Sequence, residues 1–352
     1  MSPASIPTFD GHNDVALRLY RTAAVDPATA FLGGQDEAHI DLPKARAGNF
    51  AGGFFALFSP SSSRNNYSSM AGERYDIPLP PMLELEAARD PIVTMLSLLL
   101  RVERASQGAV TICRDTGAIR SAMARGSIAM LVHLEGADAI DADLHMLDVL
   151  HAAGLRSLGP VWSRDTIFGH GVPARFPSSP DCGGGLTAAG EKLVRACNEM
   201  KIMIDLSHIT EQGFWDVARL SKAPLVATHS NAHALCPSSR NLTDRQLDAI
   251  RESGGVVGLC FATSFLRADG NMNPDTGMEV VVRHLEGLLE RLGEDRVAIG
   301  SDFDGCVVPR DIGTAAGMPL FYEELRRRGY GETLLNKIGW SNWLDVLERT
   351  IG

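Results

Sequence analysis

Six residues of this 352-residue chain are of the types that bind divalent metal ions and move protons: His12, Asp14, Glu135, His208, His229 and Asp302. Each stands at the end of a short apolar run. His12 and Asp14 close DGHND (10–14), Glu135 follows IAMLVHL, His208 follows IMIDLS, His229 ends PLVATH and Asp302 follows RVAIGS. In His12-x-Asp14 the side chains are two residues apart, so on extended backbone they point the same way and can reach one ion. Glu135 offers two carboxylate oxygens and can bridge two ions, and His208 with His229 then completes the second. Two zinc ions held by two carboxylates and three neutral imidazoles leave the centre positive, even with a bridging hydroxide. Such a centre makes hydroxide available near neutral pH, and hydrolysis is its natural use. Asp302 needs no metal bond in this scheme and is free to pass a proton from the hydroxide to a leaving amine. A single histidine at a strand end is most often structural. The joint pattern, five ligand types on four strand ends with an aspartate on another, is what points to a site.

The elements that position these residues alternate. Eight short apolar runs suit buried parallel strands: 6–11, 52–58, 128–134, 156–162, 202–207, 224–229, 255–261 and 296–301. Most are followed by segments with apolar residues at three-to-four spacing, among them 186–200, 210–220, 243–253 and 278–292. Thr187, Thr210 and Thr243 stand at helix starts, and Lys201, Gly254 and Gly293 at helix ends. Strand–helix alternation of this length predicts an α/β fold, a single (β/α)8 TIM-type barrel spanning 1–352 whose catalytic face gathers the C-terminal strand ends. No GxGxxG or GxxxxGK[ST] follows the first run, which leaves a nucleotide-binding open sheet without support. Stretches rich in Gly, Pro and Ser at 59–81 and 169–185, and the segment 263–276, read as long loops. The stretch 334–352 reads as a packing helix, with Trp340 and Trp343 as packing residues.

Composition narrows the partners. Hydrophobic residues at 45% and charged residues at 22% are ordinary for a globular protein with a large core, and a net charge of −10 argues against a nucleic-acid or anionic-membrane binder. The six cysteines show no CxxC spacing, so neither a structural zinc site nor a redox dithiol is indicated, and Cys260 within VVGLCF reads as a buried thiol. The N-terminus lacks the basic and apolar regions of a signal peptide, and the longest apolar run, 95–100, is too short to span a bilayer. A cytoplasmic enzyme is the expectation. Of the other histidines, His39, His145, His151 and His284 read as solvated or capping. His133 reads as a core residue or a partner of the site, and His233 as a loop hydrogen-bonder or a residue that orients His229.

The segments DGHND (10–14), LEGAD (134–138), IDLSH (204–208), THSNAHALCPSSRN (228–241) and IGSDFDG (299–305), in this order, resemble the membrane (renal-type) dipeptidases, the M19 metallopeptidases of the amidohydrolase superfamily. The resemblance spans about residues 8 to 345, and the opening H-x-D separates this group from most amidohydrolases, which open with H-x-H. It implies a binuclear zinc (β/α)8 barrel that cleaves dipeptides, including those with a C-terminal D-residue, and a homodimer. By position His12 and Asp14 would hold one zinc, Glu135 would bridge, His208 and His229 would hold the other, and Asp302 would shuttle the proton. Arg240 matches the arginine that holds the substrate carboxylate, a role suited to bidentate guanidinium recognition. One departure stands out: Trp162 falls where the family carries a histidine that polarises the scissile carbonyl. His170 in the FGHG loop is the expected replacement and Arg164 the second candidate, because an oxyanion donor is worth about 3–4 kcal/mol. The loops at 59–81 and 263–276 are expected to line the side-chain pocket. Membrane attachment is not carried over. A related binuclear amidase or lactonase acting on another small carboxylate-bearing substrate is the alternative reading, since fold and metal do not fix substrate.

Overall fold

The computed structural model describes residues 5–22, 26–61 and 70–352. Eleven strands are present among them: β1 (Thr8–Asn13), β2 (Phe50–Phe58), β3 (Tyr75–Ile77), β4 (Val110–Cys113), β5 (Ile128–Glu135), β6 (Leu155–Gly159), β7 (Ala174–Phe176), β8 (Met203–Ile204), β9 (Val226–Ser230), β10 (Val256–Leu259) and β11 (Val297–Ile299). The fold is mixed α/β with parallel sheets. One sheet runs β1-β2-β5-β6-β8, with β4 beside Ile128–Leu131 of β5, and a second runs β9-β10-β11. Every residue of β5 is buried, as expected where helices cover one face of a parallel sheet and side chains fill the other. Isolated parallel bridges join the two sheets at both margins, Asp205 to Val226 and Asn13 to Phe303. Backbone hydrogen bonds reinforce each join: Leu206 N–H to Val226 O at 2.8 Å, Asp14 N–H to Phe303 O at 2.8 Å and Asp302 N–H to His12 O at 3.0 Å.

The covering helices follow the sequence closely. Ala188–Met200, Glu211–Leu220 and Asp244–Ser253 begin after Thr187, Thr210 and Thr243. The first two threonines accept the N3 amide with their hydroxyls, and Thr243 forms a capping box with Gln246. Lys201 and Gly254 end two of these helices in the left-handed conformation. The loop expectations need correction. Within 59–81 and 169–185, β3 and β7 pair antiparallel, and the Tyr75 hydroxyl donates to Gly270 O at 2.9 Å, so all three expected loops meet in one small cap. Residues 62–69 of the first loop lie outside the described residues. His284 is also corrected: it is buried, and its ring spans Leu266 O and the Ala232 amide. Among the described residues no helix is long and apolar enough to cross a membrane.

The C-terminal stretch is two short helices, Glu332–Asn336 and Asn342–Thr350, joined by a π-helical turn at Lys337–Ser341. Its Trp343 is fully buried between β1, β2 and β11. The indole stacks on Phe54, at 5.1 Å between centroids, and donates to Ile299 O at 2.8 Å. Glycine is required around it, since a Cβ on Gly11 would stand 2.4 Å from both Trp343 Cζ2 and Thr228 O. Trp343→Ala should cost about 3–5 kcal/mol of folding free energy, read from urea unfolding. A loss below about 1 kcal/mol would show that the indole does not hold these strands together.

Candidate active site

The strand ends place five of the six chemistry-bearing side chains around one carboxylate oxygen or beside it. Glu135 Oε1 lies 3.1 Å from His208 Nε2, 3.5 Å from His229 Nε2 and 3.6 Å from His12 Nε2. The two distal histidines face each other with 3.0 Å between their Nε2 atoms. Asp14 Oδ2 is 3.6 Å from His12 Nε2. Two trios bring ligand atoms within 4.8 Å of one another, His12–Glu135–His229 and His12–Asp14–Asp302, sharing His12. All six groups are therefore brought together, Asp302 on the Asp14 side.

Local backbone serves this convergence. His208, Asp302 and Asp304 all adopt left-handed conformations, φ 66°, 60° and 66°, which turn the chain sharply as it leaves a strand. A Cβ on Gly305 would stand 2.0 Å from Asp14 Oδ2 and 2.6 Å from Asp302 Oδ1, so glycine keeps the space between these carboxylates open. Two of the three rings are held from behind. Ser163 Oγ lies 2.9 Å from His208 Nδ1, and Thr228 Oγ1 lies 2.9 Å from His229 Nδ1. Asp10 accepts from the amide and hydroxyl of Ser301, which pins the start of the turn that carries Asp302.

The electrostatics fit a cation. Among the described residues, neither buried ring nitrogen of His12 has a hydrogen-bond partner. Burial alone would lower its pKa, but Glu135, Asp14 and Asp302 outweigh that and raise it to about 10. Burial pushes Glu135 up to about 8 against the pull of His12, and burial with the Asp14 charge pushes Asp302 to about 6. Burial, Arg240 and His12 hold His208 and His229 well below the usual imidazole range, in the neutral form that ligates metals. Three carboxylates and neutral imidazole nitrogens thus converge where the side chains supply too little positive charge. His12, Asp14, Glu135, His208 and His229 could hold metal ions there.

A cavity of about 970 Å³ opens onto this cluster. Arg240 lines it. The guanidinium is buried, rests 5.2 Å from the Phe265 ring and donates to His229 O at 3.1 Å, and its Nε has no partner among the described residues. A ligand carboxylate would complement it. Met70 and Met272 from two of the expected pocket loops also line the cavity.

The family profile of membrane dipeptidase (peptidase family M19) matches residues 3–351. The chain belongs to peptidase family M19. A metallopeptidase from Rhodobacter sphaeroides, solved with a phosphinate mimic of the dipeptide L-Ala-D-Ala, is 53% identical over 99% of this chain and 100% of its own, with a TM-score of 0.96. An uncharacterized protein in the pqqA 5′ region of Klebsiella pneumoniae is 47% identical over 74% of this chain and 97% of its own. A probable dipeptidase from Pseudomonas aeruginosa, 22% identical over 98% of this chain and 95% of its own, shares the fold with a TM-score of 0.79. This M19 protein is a metallo-dipeptidase, a hydrolase acting on dipeptides.

Two expectations for the dipeptidase are corrected by the geometry. His170 is not brought to the cavity: its Nδ1 pairs with Asp165 Oδ2 at 3.1 Å, its ring packs against Gly184, and it does not line the cavity. Arg164 is fully buried behind the wall, bonded to Asp138, Ser61 and Ser59 O. Its guanidinium supports the rings of Phe58 and Trp162, 5.7 and 5.6 Å away. Trp162 packs edge-on to Phe58 and lies 5.9 Å from the His208 ring, forming an aromatic wall where a polar donor was sought. Sequence reasoning missed Ser163, Thr228, Asp205 and Cys306. Thr228 stands next to His229 and Asp205 three residues before His208, and that adjacency was the available signal; Ser163 is far in sequence from every ligand type. His233 takes its loop role, bonded to Ser178 O at 2.9 Å.

Folded His12 and Glu135 hold protons at pH values where the unfolded chain has released them. The metal-free protein should therefore lose stability as pH rises from about 6 to about 9, because the folded state binds more protons than the unfolded one. Thermal melts with chelator should show Tm falling across that range, and melts with zinc should be higher and much flatter. Identical pH profiles with and without zinc would contradict a cation site at this cluster.

Proposed function

We propose that the chain is a zinc-dependent dipeptidase with two metal ions per subunit, held at the mouth of a closed (β/α)8 barrel formed by one domain over 1–352. The bridges at Asp205–Val226 and Asn13–Phe303 support closure, since they link β1, β2, β5, β6, β8, β9, β10 and β11 into one parallel ring. The observation that carries the functional reading is the buried, acceptor-rich cluster around Glu135 Oε1, facing the same cavity as the buried Arg240. His12 and Asp14 would hold one ion, His208 and His229 the other, with Glu135 between them. Bound there, the ions supply Lewis acidity and an acidified water at neutral pH.

The chain's own residues do the rest. Arg240 receives the substrate's carboxylate through a planar guanidinium already stacked on Phe265, so little side-chain freedom is lost on binding. Asp302 takes the proton of the attacking water and delivers it to the amine that leaves. Burial lifts Asp302 toward neutrality, which suits a group that must both accept and release a proton. The Cys306 thiol donates to Asp302 O and the Cys260 thiol reaches Asp302 Oδ2, fixing the shuttle without adding charge. Trp162 and Phe58 form an apolar wall that excludes bulk water from the scissile bond. The L-Ala-D-Ala mimic in the Rhodobacter relative supports L-Xaa–D-Xaa dipeptides as substrates.

The test is hydrolysis of a matrix of L-Xaa–L-Xaa and L-Xaa–D-Xaa dipeptides by zinc-loaded protein. Turnover is expected, with Asp302→Asn lowering kcat by about 10²–10⁴-fold. Arg240→Leu should act chiefly on KM, and dipeptide amides lacking the free carboxylate should be poor substrates for the unsubstituted enzyme. Undiminished turnover by Asp302→Asn would remove the shuttle, and equal cleavage of acids and amides would remove the Arg240 role.

A further inference from the structure

His229 is backed by more than a hydroxyl. Thr228 Oγ1, 2.9 Å from His229 Nδ1, also lies 2.7 Å from Asp205 Oδ2. The other Asp205 oxygen, Oδ1, takes the amide N–H of Thr228 at 2.8 Å and of Ser207 at 3.0 Å. All of these groups are buried. A threonine hydroxyl carries one proton, and carboxylate oxygens only accept. That proton therefore goes to Asp205 Oδ2, and the hydroxyl oxygen is left to accept from His229 Nδ1–H. The imidazole then has no proton on Nε2, the atom that faces Glu135 Oε1 at 3.5 Å and His208 Nε2 at 3.0 Å.

We propose that Asp205 and Thr228 are positioning residues that lock His229 in the tautomer whose bare Nε2 points into the carboxylate cluster. The inference rests on His229 being a metal ligand. It follows the general use of a partner behind a ligating histidine to fix tautomer and ring orientation, with a hydroxyl interposed between carboxylate and ring. The direction of the chain is what makes it specific. His208 has only Ser163 behind it among the described residues, and a lone hydroxyl can donate or accept, so nothing equivalent fixes that ring. His133 faces the same Asp205 oxygen at a longer distance, with Nε2 3.6 Å from Oδ2 and Nδ1 2.9 Å from Ser157 Oγ. It does not reach the Thr228 hydroxyl's role.

Reversing the chain is the sharpest prediction. In Asp205→Asn the amide oxygen stays with the two backbone N–H groups and the amide nitrogen faces Thr228. The hydroxyl must then accept from Asn and donate to His229 Nδ1, which moves the ring proton to Nε2. Zinc affinity of the full-length protein would be measured by competition with a chelating dye, and the His229 tautomer by ¹⁵N chemical shifts of the metal-free protein. Thr228→Val should weaken zinc binding about 10–100-fold, and Asp205→Asn at least as much. Thr228→Ser, which keeps the hydroxyl, should bind like the unsubstituted protein. Nδ1–H is expected in the unsubstituted protein and in Thr228→Ser, and Nε2–H in Asp205→Asn. Unchanged affinity in Thr228→Val, or a Thr228→Ser variant as weak as Thr228→Val, would overturn the proposal. His229→Ala separates the two levels. If it binds zinc with full affinity, the ligand reading fails; if it binds weakly while Thr228→Val does not, only the positioning role fails.

Discussion

Three imidazole nitrogens face one carboxylate oxygen at Glu135, and the fold must hold them there against their own repulsion. His208 and His229 are held neutral, and their bare Nε2 atoms facing an ionised Glu135 are all acceptors, so these three gain nothing from one another without a cation or a shared proton. Burial makes the conflict sharper, because water cannot screen it. The rigid strand ends resist it. β1, β5, β8 and β9 deliver the groups from short, fully buried segments, and the left-handed residues His208 and Asp302 turn the chain at the point of delivery. The Trp343 indole ties β11 to β2, and Gly11 beside His12 is approached too closely to carry a side chain.

The cavity wall shows the same division of labour between charge and packing. Arg164 and Asp138 form a buried ion pair behind Phe58 and Trp162, with the guanidinium's other donors satisfied by Ser61 and Ser59 O. Such a pair is a costly way to build a wall, but each partner is hydrogen-bonded and the two rings rest on a fixed plane. Arg240 is the contrasting case. Its Nε has no partner among the described residues and its head lines the cavity, where a ligand carboxylate would complete it. The first arginine belongs to the scaffold, and the second is the one proposed to receive the substrate carboxylate.

The chemistry-bearing residues were legible because strand ends are short-range features. An apolar run ending in or followed by His, Glu or Asp marks both an element and its functional end, as at His229 closing PLVATH and Asp302 after RVAIGS. Helix starts at Thr187, Thr210 and Thr243 were legible for the same reason: capping is local. What depended on long-range contact was not. The β3–β7 ribbon joins residues about a hundred positions apart and was read as loops. His170 was placed near the chemistry by its spacing from Trp162, yet Asp165 and Gly184 hold it elsewhere. The Asp205–Thr228 chain links two neighbouring strands, and its direction emerges only once each donor and acceptor is assigned.

The central claim is that the Glu135 cluster holds two ions and that Asp302 is not needed to hold either. Anomalous diffraction at the zinc edge from crystals of the zinc-loaded protein tests it most directly. The account predicts two peaks, one beside His12 and Asp14 and one beside His208 and His229, with Glu135 between them and Asp302 outside both coordination shells. A single peak, or an ion bound directly by Asp302, would contradict it.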